Sequence, residues 1–198
     1  MATIVALSFH PAFIPPRSGG EERLYYVYKY LSLQHNIVLI SFTYQNETNS
    51  IQVEHHTPSF KEIRIPKTNI SSMLHHIISR YTPIKECSAI VTSIESRFNK
   101  NYKNVVEKEL PQADAVIFVS PFLNTLPERL LRKKAIVYEA YNNEYELMKS
   151  NFSHSILGKF LLYHVRHLER NLSKDSDLIF TVSLEDKETC ISKFLKHL

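Results

Sequence analysis

Two of the three glycines in this 198-residue chain stand side by side, Gly19-Gly20, at the end of a proline-containing loop and directly before Glu21-Glu22-Arg23. A backbone without side chains at the start of a helix lets a substrate come close to amides that have no partner within the helix. The competing use of such a pair is a left-handed turn before the helix. The loop matches neither G-x-G-x-x-G nor G-x-x-x-x-G-K-[ST], which argues against a nicotinamide enzyme and a P-loop phosphotransferase. Other polar residues follow apolar runs directly: Ser120 after Ala115–Val119, and Tyr141, Asn142 and Glu144 after Ala135–Glu139. Such positions either face a ligand crevice or merely cap the next helix. There is no G-x-S-x-G elbow, no pair of catalytic acids and no Cys/His arrangement for nucleophilic chemistry.

The histidines invite a metal reading. His164 and His167 share a helix face, and His55-His56 and His75-His76 are doublets, but none joins a carboxylate or cysteine in a ligand pattern, so no metal site is expected. Cys87 and Cys190 are far apart in sequence and read as free thiols of a reducing compartment.

The elements that must position these residues follow a strand–helix rhythm. Strands are expected at Ile4–Ser8, Ile37–Phe42, Glu62–Pro66, Ala115–Ser120, Ala135–Glu139 and Leu178–Val182. Several are continuously apolar, as in a parallel sheet covered on both faces. Helices are expected over Glu21–Gln34, Ser71–Arg80, Ser93–Glu109, Leu126–Arg132, Asn143–Lys149, Ser153–Ser173 and Leu184–Leu195, the last opened by a Ser183/Asp186 capping box. Residues Tyr44–Ser59 read as an exposed polar loop. The expected fold class is α/β, a Rossmann-like doubly wound parallel sheet forming one lobe, residues 1–198. Ligands of such sheets bind at the carboxyl ends of the strands.

A net charge of +4 is too small to indicate a nucleic-acid partner. No apolar run is long enough to span a bilayer, and the first strand starts too close to Met1 for a signal peptide, so a cytoplasmic location is expected.

The sequence resembles the N-terminal domain of a two-lobed, GT-B-type retaining glycosyltransferase, most like glycosyltransferase family 4. The resemblance lies in the opening strand, proline loop and Gly19-Gly20; in Val137-Tyr138-Glu139-Ala140-Tyr141-Asn142-Asn143-Glu144; and in Leu168-Glu169-Arg170 followed by Asp177–Ser183 and Asp186. It implies an acceptor-side lobe that moves a sugar from a nucleotide-sugar to an acceptor hydroxyl with retention. The implied partners are the nucleotide-sugar, as substrate rather than cofactor, a glycan or lipid-linked acceptor, and a second GT-B lobe in cis or trans. Gly19 and Gly20 would offer amides near the diphosphate, while His10, Arg17 and Arg23 help form the acceptor side. Ser120, Tyr141, Asn142 and Glu144 would line the cleft.

Two departures are visible. Tyr141 stands where the family pattern has His, and Glu139 where it has Asp, so proton chemistry near neutrality is lost at that position. The family's Glu-x7-Glu motif belongs to the second lobe; Glu54 and Glu62 share the spacing but fall in a polar loop and a strand, which reads as coincidence. Without a second lobe the chain is expected not to turn over alone, and a stand-alone, non-catalytic Rossmann-like binding module is the alternative.

Phe60–Lys108 carries nine Lys or Arg against four Glu, beside an apolar helical face of Ile70, Met73, Leu74, Ile77 and Ile78. That face either packs on the core or lies on an anionic membrane as a peripheral contact.

Overall fold

The computed structural model describes residues 1–45, 47–82, 87–152, 155–184 and 187–188. Asp186, Cys190 and most of the helix expected over Leu184–Leu195 lie outside the described residues.

Seven strands form one sheet in the order β3-β4-β2-β1-β5-β6-β7. They are β1 (Thr3–Ser8), β2 (Asn36–Phe42), β3 (Gln52–Thr57), β4 (Phe60–Ile65), β5 (Ala115–Phe118), β6 (Ala135–Ala140) and β7 (Leu178–Thr181). Every pair is parallel except β3–β4. The six expected strands are all present. β3 corrects the expectation of a loop: Gln52–Thr57 pairs antiparallel with β4 across the Pro58-Ser59 turn, with a register shift between His55 and Thr57. Its polar residues suit an edge strand whose first four positions are exposed.

The helices are α1 (Gly19–Leu31), α2 (Asn69–Tyr81), α3 (Ser88–Glu95), α4 (Lys100–Glu109), α5 (Glu128–Leu131), α6 (Glu144–Phe152) and α7 (Ile156–Asp175). The single helix expected over Ser93–Glu109 is two. Asn99 separates them: its side chain accepts the Tyr102 N–H at 3.1 Å and caps α4, while its amide donates to Pro66 O at 3.0 Å.

One sheet face packs Val5, Leu7, Ile40, Val116 and Phe118 against α4 and the end of α7, through Tyr102, Val106 and Leu172. The other packs Ala6, Leu39, Phe60 and Ile117 against Leu24, Tyr25 and Tyr28 of α1. A third cluster sits between helices, where Ile78 of α2, Ile90 and Val91 of α3 and Phe152 of α6 meet Leu161 and Val165 of α7 around Phe122. Leu157 of α7 packs partly buried against the same cluster.

Candidate functional site: a crevice at the carboxyl ends of the strands

Between the loop after β1 and the third cluster lies an open crevice of about 700 Å³. Loop residues His10 and Ser18, Tyr44 from the segment after β2, and Asn142 and Glu144 from the β6–α6 junction give it polar lining groups. Ala89, Phe122, Leu147, Met148 and Phe152 give it apolar ones. All these contributors follow carboxyl ends of strands or the helices packed there, where a doubly wound sheet places ligands.

Helix α1 begins two residues earlier than its apolar spacing suggests, because Ser18 is its cap, with Oγ accepting the Glu21 N–H at 3.3 Å. Gly19 and Gly20 are therefore its first two helical residues, and neither has a positive φ. That removes the left-handed turn as the reason for the pair. A Cβ on Gly19 would meet nothing within 4 Å, and one on Gly20 would touch His10 Nε2 at an ordinary 3.5 Å. The space beside the helix N-terminus is open.

The loop before α1 is pinned from below. Buried Glu62 accepts the Ala12 N–H at 2.9 Å and the Ser41 hydroxyl at 2.7 Å, and Arg64 donates to Ala12 O at 2.7 Å and to Glu62 at 2.9 Å. The His56 ring reaches Glu62 Oε2 at 2.9 Å. These hydrogen bonds outweigh the desolvation of Glu62 and hold its carboxyl below the usual range. Phe13 lies under the Arg64 guanidinium at 4.4 Å, and Arg17 covers the same ring at 4.4 Å. At the crevice mouth the Tyr44 hydroxyl donates to buried Glu21, whose other oxygen accepts the Arg17 N–H.

The two glutamates dismissed for their context, Glu54 and Glu62, are direct cross-strand neighbours. With His56 they bring three ligand-type atoms within 4.8 Å, which corrects the expectation that no histidine joins a carboxylate. Arg64 pairs with both glutamates, so a guanidinium already supplies the positive charge and the cluster is an ion-pair network.

On the opposite rim Glu169, buried in α7, accepts the N–H groups of Glu144 at 2.9 Å and Tyr145 at 3.1 Å, and Asn143 Oδ1 accepts that of Glu146 at 3.0 Å. The N-terminus of α6 is thus capped twice, which fixes Glu144 at the crevice. Burial, and then the Glu169 carboxylate, raise the Glu144 pKa to about 7. Burial lowers that of His10, leaving a neutral imidazole at pH 7.

The residues singled out in the sequence are sorted by this geometry. His10, Asn142 and Glu144 line the crevice, and Gly20 abuts His10. Arg17 stacks on Phe13, with Tyr44 also within reach at 5.7 Å, and is not among the lining residues. Arg23 and Tyr141 face each other instead, guanidinium over ring at 4.2 Å, and Arg23 pairs with buried Glu139 at 3.3 Å. The Tyr28 hydroxyl donates to the same carboxylate at 3.0 Å. Arg23 and Glu139 instead line a second groove of about 570 Å³ between α1 and strands β6 and β7, next to exposed Phe180. Ser120 is 3% exposed, and its hydroxyl makes no hydrogen bond within the described residues. Ser18, Tyr44 and the apolar wall had no motif to announce them. Tyr44 could have been found from its place just past a strand's carboxyl end.

No family model matches the sequence, and no curated protein does. Among solved structures, the whole chain superposes on a sucrose-phosphate synthase from Thermosynechococcus elongatus with a TM-score of 0.62 and 11% identity, covering 46% of that chain. An α,α-trehalose 6-phosphate synthase from Burkholderia multivorans matches with a TM-score of 0.52 and 12% identity, 100% of this chain against 44% of that one. A UDP-forming α,α-trehalose-phosphate synthase from Burkholderia vietnamiensis gives 0.50 and 13%, 99% against 43%. The chain spans less than half the length of each. Its fold is that of one Rossmann-like lobe of a GT-B architecture, built on a seven-stranded, mostly parallel sheet.

Proposed function

We propose that this chain is the acceptor-side lobe of a glycosyltransferase that moves a sugar from a nucleotide-sugar to an acceptor hydroxyl with retention, in concert with a second GT-B lobe supplied in cis or in trans. The observation that carries the proposal is the convergence of the unobstructed α1 N-terminus, His10, Asn142 and Glu144 at one crevice of a GT-B lobe. The α1 N-terminus suits the charge that develops on a departing diphosphate, because its amides and macrodipole favour an anion without reorganising. Neutral His10 and Asn142 are hydrogen-bonding groups for sugar hydroxyls, and Glu144 can donate or accept near neutrality. Arg23 and Tyr141, joined through Glu139, act behind them by holding the β6–α6 junction against α1.

The test is transfer of labelled sugar from a panel of nucleotide-sugars by the chain together with a second lobe. Asn142→Ala and Gly20→Val should each lower kcat/KM about 10- to 100-fold. Transfer unaffected by both substitutions would overturn the assignment of the crevice.

A binding module without turnover is the second reading. One observation favours it: Tyr141, at the position of the family's His, is covered by Arg23, and burial raises its phenol far above the neutral range. Nucleotide-sugar binding with no transfer in any lobe combination would select it.

A membrane-peripheral role at the cytosolic face is part of the proposal. Among the described residues no helix is long and apolar enough to cross a membrane. On α2, Met73, Ile77 and Tyr81 form an exposed stripe at i, i+4, i+8, while Ile78 turns inward.

A further inference from the structure

Resting on that reading, the geometry points to an acceptor that is uncharged and amphipathic: a hydroxyl-bearing head joined to an apolar chain or ring.

The lining of the crevice changes from polar to apolar along α6. His10, Ser18, Asn142 and Glu144 are its hydroxyl-binding groups. Glu144, Leu147 and Met148 share one face of α6 at i, i+3 and i+4, so the apolar surface of Leu147, Met148 and Ala89 of α3, backed by buried Phe122 and Phe152, starts directly beside the Glu144 carboxyl. Leu147 is 57% exposed although an apolar cluster lies directly beside it. A lone exposed leucine needs no explanation, but here it extends an apolar wall that ends at a polar rim. A bare monosaccharide would use the rim and leave the wall wet, whereas an alkyl or aryl group attached to it would cover the wall. The volume of about 700 Å³ falls within the usual range of about 300–1,000 Å³ for small-molecule sites, so head and apolar group fit together.

Charge decides against a phosphorylated acceptor. No described lining residue of the crevice is Lys or Arg. Arg17 and Arg64 are turned onto Phe13, and Arg23 onto Tyr141. His10 is neutral at pH 7, and the one ionisable carboxyl in the lining, Glu144, becomes an anion as pH rises. With the α1 N-terminus taken by the donor diphosphate, a dianionic acceptor phosphate beside Glu144 would be desolvated next to a carboxylate, with no Lys or Arg among the described lining residues to pair with it. The solved neighbours are named as sucrose-phosphate and trehalose-phosphate synthases; this chain shares their fold, and none of the described lining residues of its crevice is Lys or Arg.

The experiment is a binding series on the chain: methyl, butyl and hexyl β-D-glucoside, phenyl β-D-glucoside, glucose and glucose 6-phosphate, read by calorimetry or chemical-shift titration. Affinity should rise about twofold to fourfold per added methylene, since full burial of one is worth about fourfold and an open wall gives less. Glucose and glucose 6-phosphate should bind at least tenfold more weakly than hexyl glucoside. Stronger binding of the phenyl than of the hexyl compound identifies an aromatic body, the reverse an alkyl chain. Leu147→Asp should weaken hexyl glucoside at least tenfold, and Leu147→Ser repeats the test should the aspartate variant not fold. A flat alkyl series, no binding by any glucoside, or glucose 6-phosphate as the tightest ligand overturns the proposal. In the transfer assay, product formed only on glucose 6-phosphate overturns the acceptor class and leaves glycosyl transfer standing. Hexyl glucoside binding without transfer to any acceptor overturns glycosyl transfer and leaves the crevice's preference intact.

Discussion

Glu144 joins structure to pH most directly. In the unfolded chain its pKa is the ordinary 4.5, and in the folded one burial and Glu169 raise it to about 7. The folded protein therefore binds the proton more tightly, and the associated stability is fully present below about pH 4.5 and lost as pH rises through about 7. Glu144→Gln should leave the thermal midpoint unchanged in acid relative to the parent and raise it progressively from pH 5 to pH 7.5. The gain is at most about 3 kcal/mol, from about 1.4 kcal/mol per pKa unit. A difference in midpoint that does not vary with pH would refute it. The glycines make a second contrast. A Cβ on Gly158 would lie 2.1 Å from the Phe152 carbonyl oxygen, so Gly158→Ala should cost about 3 kcal/mol in urea unfolding. Gly19→Ala meets nothing and should stabilise the helix start by a few tenths of a kcal/mol up to about 1. Donor binding that falls while stability rises would mark Gly19 as kept open for a ligand.

At the scale of elements, the crevice is held by two buried carboxylates from outside it. Glu62 on β4 ties down the β1–α1 loop, and Glu169 on α7 caps α6. Glu62→Ala removes the acceptor of Ala12 N–H, Ser41, His56 and Arg64 together, and should cost about 3 kcal/mol because it leaves a buried guanidinium short of a partner. Arg17 is exposed in the loop so pinned, and tryptic cleavage after it should accelerate. Stability lost without faster cleavage would mean that Glu62 supports the sheet and not the loop.

At the scale of the whole molecule, the described residues cover the two faces of the sheet unequally. α1 covers its face as far as β5, and past it the groove along β6 and β7 leaves Leu178 and Phe180 half exposed. The exposed stripe on α2 is a separate apolar feature. Sedimentation with anionic vesicles should fall for the double variant Met73→Ser/Ile77→Ser, with a cooperative thermal transition retained because Met73 is 55% and Ile77 38% exposed. Equal pelleting by parent and variant, or pelleting indifferent to anionic lipid, would remove the membrane contact.

Local pattern was enough for the sheet's six parallel strands and for α1. Continuous apolar runs such as Ala115–Phe118 are stable only when buried on both faces, and the repeat of strand and helix leaves few other architectures. β3 escaped that logic because an edge strand exposed to water need not be apolar, and the α3–α4 break escaped it because Asn99 acts through Pro66, 33 residues away. The site was legible wherever it depends on topology: loops after strands converge, so His10, Asn142 and Glu144 were named before they were seen together. Only the tertiary structure turned Arg23 and Tyr141 toward Glu139, set Glu62 beneath the loop and brought Ala89, Phe122, Leu147 and Met148 together as an apolar wall beside the polar groups. Each of those depends on contacts between residues distant in sequence, and burial energies of that kind have no local signature.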